Sequence, residues 1–309
     1  MIATSTRKAV GIVIGLAWLA LAPFLVPYQA LASQMLIFAI FAIGYDILFG
    51  YTGMLAFGHA AFFGLGAYGT GLALLHWGGL SLASLLVGVA LAVLVAVPLG
   101  YLSIQRHGIY FAMVTMAFAQ LIYFIAFQWR TLTGGDDGLH GVPRPALGPL
   151  DLSSDLTLYY FILVLFIGCL ALGLRIINSP FGKALQALRE NENRAMSVGY
   201  DPRQYKIISF VISAGFAGLA GGLYAILQNF VPLFTLGMDI SGDIVLMTLV
   251  GGMGTIYGPI IGAMGLVYIK DILSSQTDVW PLIMGLLYVV SVMTFRRGVV
   301  KEIGERLFK

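Results

Sequence analysis

Residues 80–104 read LSLASLLVGVALAVLVAVPLGYLSI, without one charged side chain. A run this long and this apolar has the length a helix needs to cross the hydrocarbon of a bilayer, about 20 residues. Windows of about 19 residues place comparable runs near 10–28, 31–49, 60–77, 108–129, 157–177, 206–228, 240–257, 258–276 and 279–295. About ten spans are therefore expected. An unpaired backbone amide in lipid costs several kcal/mol, and segments of strict alternation are missing, so these spans read as helices rather than barrel strands. The fold class is an all-α polytopic membrane protein.

Composition agrees with that reading. Of the residues 59% are hydrophobic and 10% charged, with mean hydropathy +0.93, whereas a soluble domain carries about 25% charged residues to face water. Charge is confined to short islands, so residues 1–309 are expected as a single transmembrane domain. Cys169 is the one cysteine and lies in an apolar run, which rules out an internal disulfide and reads as a small core residue. The net charge of +3 is too small and too dispersed for nucleic acid. Arg7 and Lys8, the apolar run to Val26 and then Ala30-Leu31-Ala32 resemble a signal peptide. The run exceeds the roughly 7–15 residues of a signal core, so a retained first span is expected.

The cations orient the chain. Threading ten helices with the N-terminus inside puts Arg7, Lys8, Arg106, Arg175, Lys183, Arg189, Arg194, Arg203, Lys206, Arg296, Arg297, Lys301, Arg306 and Lys309 at cytoplasmic ends. Only Arg130, Arg144 and Lys270 fall outside, which selects an N-in, C-in topology. The loop of about 130–156 is then external, and the basic loop of about 178–205 cytoplasmic. Residues 240–257 are short and Gly-rich, with Asp239 and Asp243 near their start, so a broken or re-entrant segment is an alternative there.

In the cytoplasmic loop Ser179-Pro180 is a helix start and Gly199 a plausible stop, with a helix expected between them. Phe181, Ala184, Leu185 and Leu188 form one apolar stripe; Lys183, Arg189, Glu190, Glu192 and Arg194 decorate the rest. Such a helix either lies on anionic lipid or docks a cytoplasmic partner. The stretch GYTGMLAFGHAAFFGLGAY, residues 50–68, holds Gly50, Gly53, Gly58, Gly64 and Gly66 in an apolar setting. Two readings compete: close helix packing through small residues, or a discontinuous helix lining a pathway. Gly50, Gly53, Gly58 and Tyr68 have counterparts in Gly251, Gly254, Gly258 and Tyr268 if one residue is skipped, a weak internal repeat that favours a pathway.

Ionisable residues within the spans are few. Asp46 and His59 lie near span ends and are expected to reach interfacial water or a local partner. A proton-coupled carrier needs an embedded acid, and Asp46 is the single candidate, so a secondary carrier or a channel for a small polar solute, such as urea or an amide, is the alternative rather than the main reading. The chain has no GxxxxGK[ST], HExxH or GxSxG motif, so it is not read as an enzyme and its energy must come from elsewhere.

Several motifs in combination resemble one family. Residues 50–68, LTGGDDGL at 132–139, SPFGKALQALRENE at 179–192, residues 214–224 and GGMGT at 251–255 resemble the branched-chain amino acid ABC permeases, over about residues 35–270. The external motif is similar to the M-type subunit rather than its H-type partner. The resemblance implies a bacterial inner-membrane importer with a homologous H-type permease, two cytoplasmic ATPases that bind ATP and Mg, and a periplasmic binding protein; no cofactor is implied on this chain. Members with these motifs carry branched-chain or other amino acids, urea, amides or small aromatic acids. A cytoplasmic EAA-x-x-x-G-like loop in such importers seats on the ATPase. The matching stretch is residues 193–199, where Ala195 and Gly199 keep the pattern and Asn193 and Arg194 depart from it. The coupling set implied is Phe181, Leu185, Leu188, Arg189, Glu190, Glu192, Ala195 and Gly199. Gly50, Tyr51, Thr52, Gly53, Gly58, His59, Gly251, Gly252 and Gly254 are expected on the translocation path. Aspartate at 185 and 188 is expected to uncouple ATPase stimulation from uptake while sparing insertion.

Overall fold

The computed structural model describes residue 19 and residues 21–77, 81–144, 146–147, 150–294, 298 and 302. Helices stand at nine of the ten expected positions; the first span, 10–28, lies largely outside the described residues. Five of the described helices are long and apolar enough to cross a membrane. At the centre is α1, Gln29–Asp46, which continues as a π-helical turn over Ile47–Tyr51. It is apolar around its whole circumference, so no face can be left to water, and the bundle surrounds it almost completely. Cys169 is buried in the same core.

In chain order α1 is followed by α2 (His59–Trp77), α3 (Ser81–Ser103) and α4 (Ile109–Gln128). Beyond the single turn α5 (Arg130–Thr133) come α6 (Asp155–Asn178) and, after two short loop helices, α9 (Pro202–Gln228). Small residues set the closest approach. A Cβ added to Gly66 would lie 2.0 Å from the Gly218 carbonyl, and one on Gly221 would lie 1.8 Å from that of Phe63. Helices α2 and α9 therefore touch backbone to backbone, as small residues permit in lipid. Overpacking typically costs about 1–3 kcal/mol, so Gly221→Ala is expected to lower the unfolding midpoint in a mixed-micelle SDS titration by a corresponding amount. An unchanged midpoint would mean that the two helices stand further apart.

The loop of 130–156 folds onto one end of the bundle. Its strand β1 (Leu139–His140) pairs antiparallel with β4 (Phe230–Val231), which follows α9, with Leu139 opposite Val231. A second ribbon pairs β2 (Ala146–Leu147) with β3 (Leu150–Asp151). Arg144 donates to the Asp155 carboxylate at 2.6 Å and to the Leu227 carbonyl at 3.3 Å. Lys270 is likewise paired, with Asp243 at 2.7 Å. Two of the three cations that sit against the charge rule thus have a carboxylate partner.

Two expectations change. The helix expected from Ser179 to Gly199 is two helices, α7 (Pro180–Glu190) and α8 (Glu192–Ser197). Asn191 is extended between them, and its side chain accepts the Arg194 N–H at 3.0 Å, so it caps a new helix instead of continuing the old one. The Ser179 cap, Pro180 at the first position and a halt at Gly199 hold. The span expected at 240–257 is α10, Met238–Gly251, of 14 residues. At about 1.5 Å per residue that is roughly 21 Å, short of the ~30 Å hydrocarbon core. The chain turns through 252–256 and returns as α11, Tyr257–Gln276, followed by α12, Trp280–Thr294.

Candidate functional site

Both glycine-rich segments are breaks between helices, and the fold brings them together. The first runs from the π turn at 47–51 through irregular residues to His59; the second is 252–256. Gly53 at φ +80° and Gly252 at φ +112° take left-handed backbone that a side chain would strain. Ile256, buried and at φ +54°, is in the same region without that freedom. A β-branched residue held there stores strain that its surroundings must enforce.

Asp46 supplies the enforcement. Its carboxylate accepts the Gly254 N–H at 2.7 Å and the Ile256 N–H at 3.1 Å, so an acid at the end of α1 satisfies the amides exposed by the second break. Gly50 has to be glycine here. A Cβ on it would stand 1.9 Å from the Asp46 carboxylate and 2.5 Å from the Gly254 nitrogen. Asp46 and His59, expected to reach interfacial water or a local partner, are both fully buried and locally partnered. Asp46 is paired with backbone amides, while His59 Nε2 lies 2.8 Å from Ser213 Oγ within a ring of Tyr45, Phe62 and Phe210 edges.

The third component is α7. Arg189 donates from Nη1 to the Gly50 carbonyl, and its aliphatic stem lies along Gly53. The guanidinium reaches the Gly254 side of the crossing as well. One side chain of the basic loop thereby touches both breaks, beside the acid that holds them. Glu192 ties α8 to the same region through Lys206 at 2.7 Å, with His107 at 4.0 Å.

Two cavities flank this clasp at one end of the bundle. The larger, about 710 Å³, is lined by Thr52, Gly53, Arg106, Arg189, Glu192 and Lys206 among others. The other, about 600 Å³, is lined by Gly50, Tyr51, Lys183, Arg189, Glu190 and Gly254. Of the residues expected on a path, Gly50, Tyr51, Thr52, Gly53 and Gly254 border these spaces. Gly58, His59, Gly251 and Gly252 border neither. A Cβ on Gly58 would lie 2.2 Å from the Thr115 carbonyl, and one on Gly251 2.0 Å from that of Gly258, so these two serve close packing. Gly50 and Gly53 thus lie at a helix break, and Gly64 and Gly66 in close helix contact.

The coupling set also divides. Leu185 and Leu188 are buried within this chain, and Phe181 stacks on Tyr205 at 5.6 Å, so the apolar stripe faces the chain's own membrane domain and offers nothing to a partner. Aspartate at these two positions would therefore place a charge in the chain's own core, apart from any effect on coupling. Ala195 is buried; Arg189, Glu190 and Gly199 are exposed. What lies outward on and just beyond α8 is Met196, Val198 and Tyr200, at 47%, 74% and 38% exposure. Sequence reasoning passed over these, and it singled out Asp46 without its partners; the gapped glycine repeat and the short, Gly-rich run at 240–257 were the signals pointing to the second break.

The fold and site define a polytopic helical membrane protein whose two broken helices are clasped by a loop helix. The family described as branched-chain amino acid transport system / permease component matches residues 28–292, and the chain belongs to it. It is similar to the high-affinity branched-chain amino acid transport system permease protein LivM of Escherichia coli, 28% identical over 94% of this chain and 73% of that protein. LivM of Salmonella typhimurium is 29% identical over the same shares. LivH of Escherichia coli is 28% identical over 77% of this chain and 82% of that protein, so permeases of both types are relatives. No solved structure matches the chain. The chain is a transmembrane permease subunit, and the carrier or channel alternative is not favoured.

Proposed function

We propose that this chain is one of two related membrane subunits of an ATP-driven importer in the bacterial inner membrane, paired with an H-type permease and carrying branched-chain or similar small amino acids. Both termini are cytoplasmic in this reading, and the clasp lies at the cytoplasmic end. The observation that carries it is Arg189, a loop-helix cation bonded to the Gly50 carbonyl at the point where two broken helices cross. Motion of α7 and α8 is transmitted to the breaks through that bond and through the buried stripe of Leu185 and Leu188. Two cytoplasmic ATPases, which bind ATP and Mg, drive the motion; a periplasmic binding protein delivers substrate to the opposite end.

Met196, Val198 and Tyr200 make up the exposed apolar surface that an ATPase would cover. Uptake of leucine into liposomes, with and without the ATP-binding partners, tests the reading. Transport is expected only with the partners and ATP, whereas a carrier or channel would move solute unaided. Val198→Asp is expected to leave the folded yield unchanged and to lower ATP-driven uptake at least tenfold. Uptake at the normal rate would remove α8 from the docking surface.

A further inference from the structure

At the end of the bundle away from the clasp, α10 and α11 bring charged side chains together. Asp243 lies on the second turn of α10, and Lys270 lies fourteen residues into α11, some 20 Å from the break at 1.5 Å per residue. They pair at 2.7 Å, the lysine also 5.4 Å from the Trp280 ring centre, and Tyr288 bonds to Asp243 as well. Asp271 stands beside them and accepts from the Tyr28 hydroxyl.

These three groups border a cavity of about 220 Å³. That volume is below the ~300–1,000 Å³ of sites for drug-sized ligands, so only a small solute fits. Phe38, Tyr224 and Val267, at 5% exposure each, form a buried and largely apolar side of it, while Gln34 and the exposed Phe234 and Ser274 complete the wall. A lone anion would meet two carboxylates, and a lone cation would leave the ammonium of Lys270 unanswered. A molecule bearing both charges next to each other, with an aliphatic tail, answers every group.

We propose that this cavity is a low-affinity site for a zwitterionic α-amino acid, its carboxylate on Lys270, its ammonium between Asp243 and Asp271, and its aliphatic side chain on the Phe38–Val267 wall. The assignment rests on the importer reading above and adds the place where substrate first meets this subunit. In the empty site Lys270 and Asp243 neutralise each other, so the pair is held ready without an uncompensated charge.

The test uses the membrane complex purified through a tag on this chain and placed in lipid nanodiscs. Saturation-transfer NMR is recorded with L-leucine, with 4-methylpentanoate, which lacks the ammonium, and with 3-methylbutylamine, which lacks the carboxylate. Leucine is expected to give a signal at least tenfold stronger than either analogue. The paired variant Asp243→Asn with Lys270→Gln removes both charges together and so leaves no orphan. Ser274→Trp obstructs the exposed rim of the cavity without touching the ions. Both are expected to lose the leucine signal at least tenfold. A leucine signal retained in either variant, or analogues equal to leucine, overturns the site. ATP-driven leucine uptake by the unaltered complex is measured in parallel. Binding without uptake defeats the importer reading, and uptake without binding at this cavity defeats the present one.

Discussion

Asp46→Ala is expected to destabilise the folded chain by at least about 1–3 kcal/mol, the cost of leaving the buried Ile256 N–H without its acceptor, with a smaller loss at the half-buried Gly254 N–H. The carboxylate is fully buried, and it spans Gly254 and Ile256 with one oxygen each. Nothing else described at the second break accepts those two amides. The strained backbone at Ile256 would then relax, and the Gly50 crossing would open with it. Asp46→Asn keeps one acceptor but turns amide hydrogens toward the other N–H, so it should fall between the wild type and alanine. The midpoint of SDS-induced unfolding in mixed micelles checks the order, and ATP-driven uptake should follow it. A wild-type midpoint for Asp46→Ala would show that the breaks are held by something other than this carboxylate.

Leu185→Asp is expected to abolish recovery of folded protein rather than to uncouple a folded transporter. Leu185 is completely buried in the core shared by α7 and the membrane helices. An uncompensated buried charge costs about 3–5 kcal/mol, a large part of the ~5–15 kcal/mol that holds a typical domain together. Leu188→Asp should act in the same direction. Size-exclusion profiles and yield from membranes measure this. The informative comparison is with Val198→Asp, where the same charge enters a side chain that is 74% exposed. If Leu185→Asp and Val198→Asp gave equal folded yield and equal loss of uptake, the stripe would face a partner and the assignment of inner and outer faces would be reversed.

Much of the fold was open to sequence reading because lipid imposes one rule over long stretches. A residue such as Val89 or Ala92 is part of a span since every neighbour for a full helix length is apolar. Helix ends with local chemistry were equally visible, as at Ser179-Pro180. Asn191 was missed because an asparagine inside a helical pattern becomes a cap only when its own backbone is extended, and the pattern on either side does not report that. The direction of the stripe at Leu185 was missed for a related reason. Periodicity shows that a helix has an apolar face and is silent about whether the chain itself, lipid or another protein covers it.

The site was legible in parts and not in its connections. Gly50, Gly53, Gly251 and Gly254 stood out by composition and repeat, and Asp46 as the sole acid called embedded. Asp243 and Lys270 were assigned to span ends or to the outer side, and their pairing passed unnoticed because they lie 27 positions apart.

Sequence alone determined that this is a membrane bundle, where its long apolar helices lie, which loop is basic and which transport family the motifs resemble, since each of these follows from residues close together in the chain. Tertiary structure alone decided that the two breaks meet, that Asp46 and Arg189 hold them, and that the leucines of the loop helix point inward. Those contacts join positions 139 to 210 residues apart. Their geometry is fixed by how whole helices pack, which no local pattern of side chains encodes.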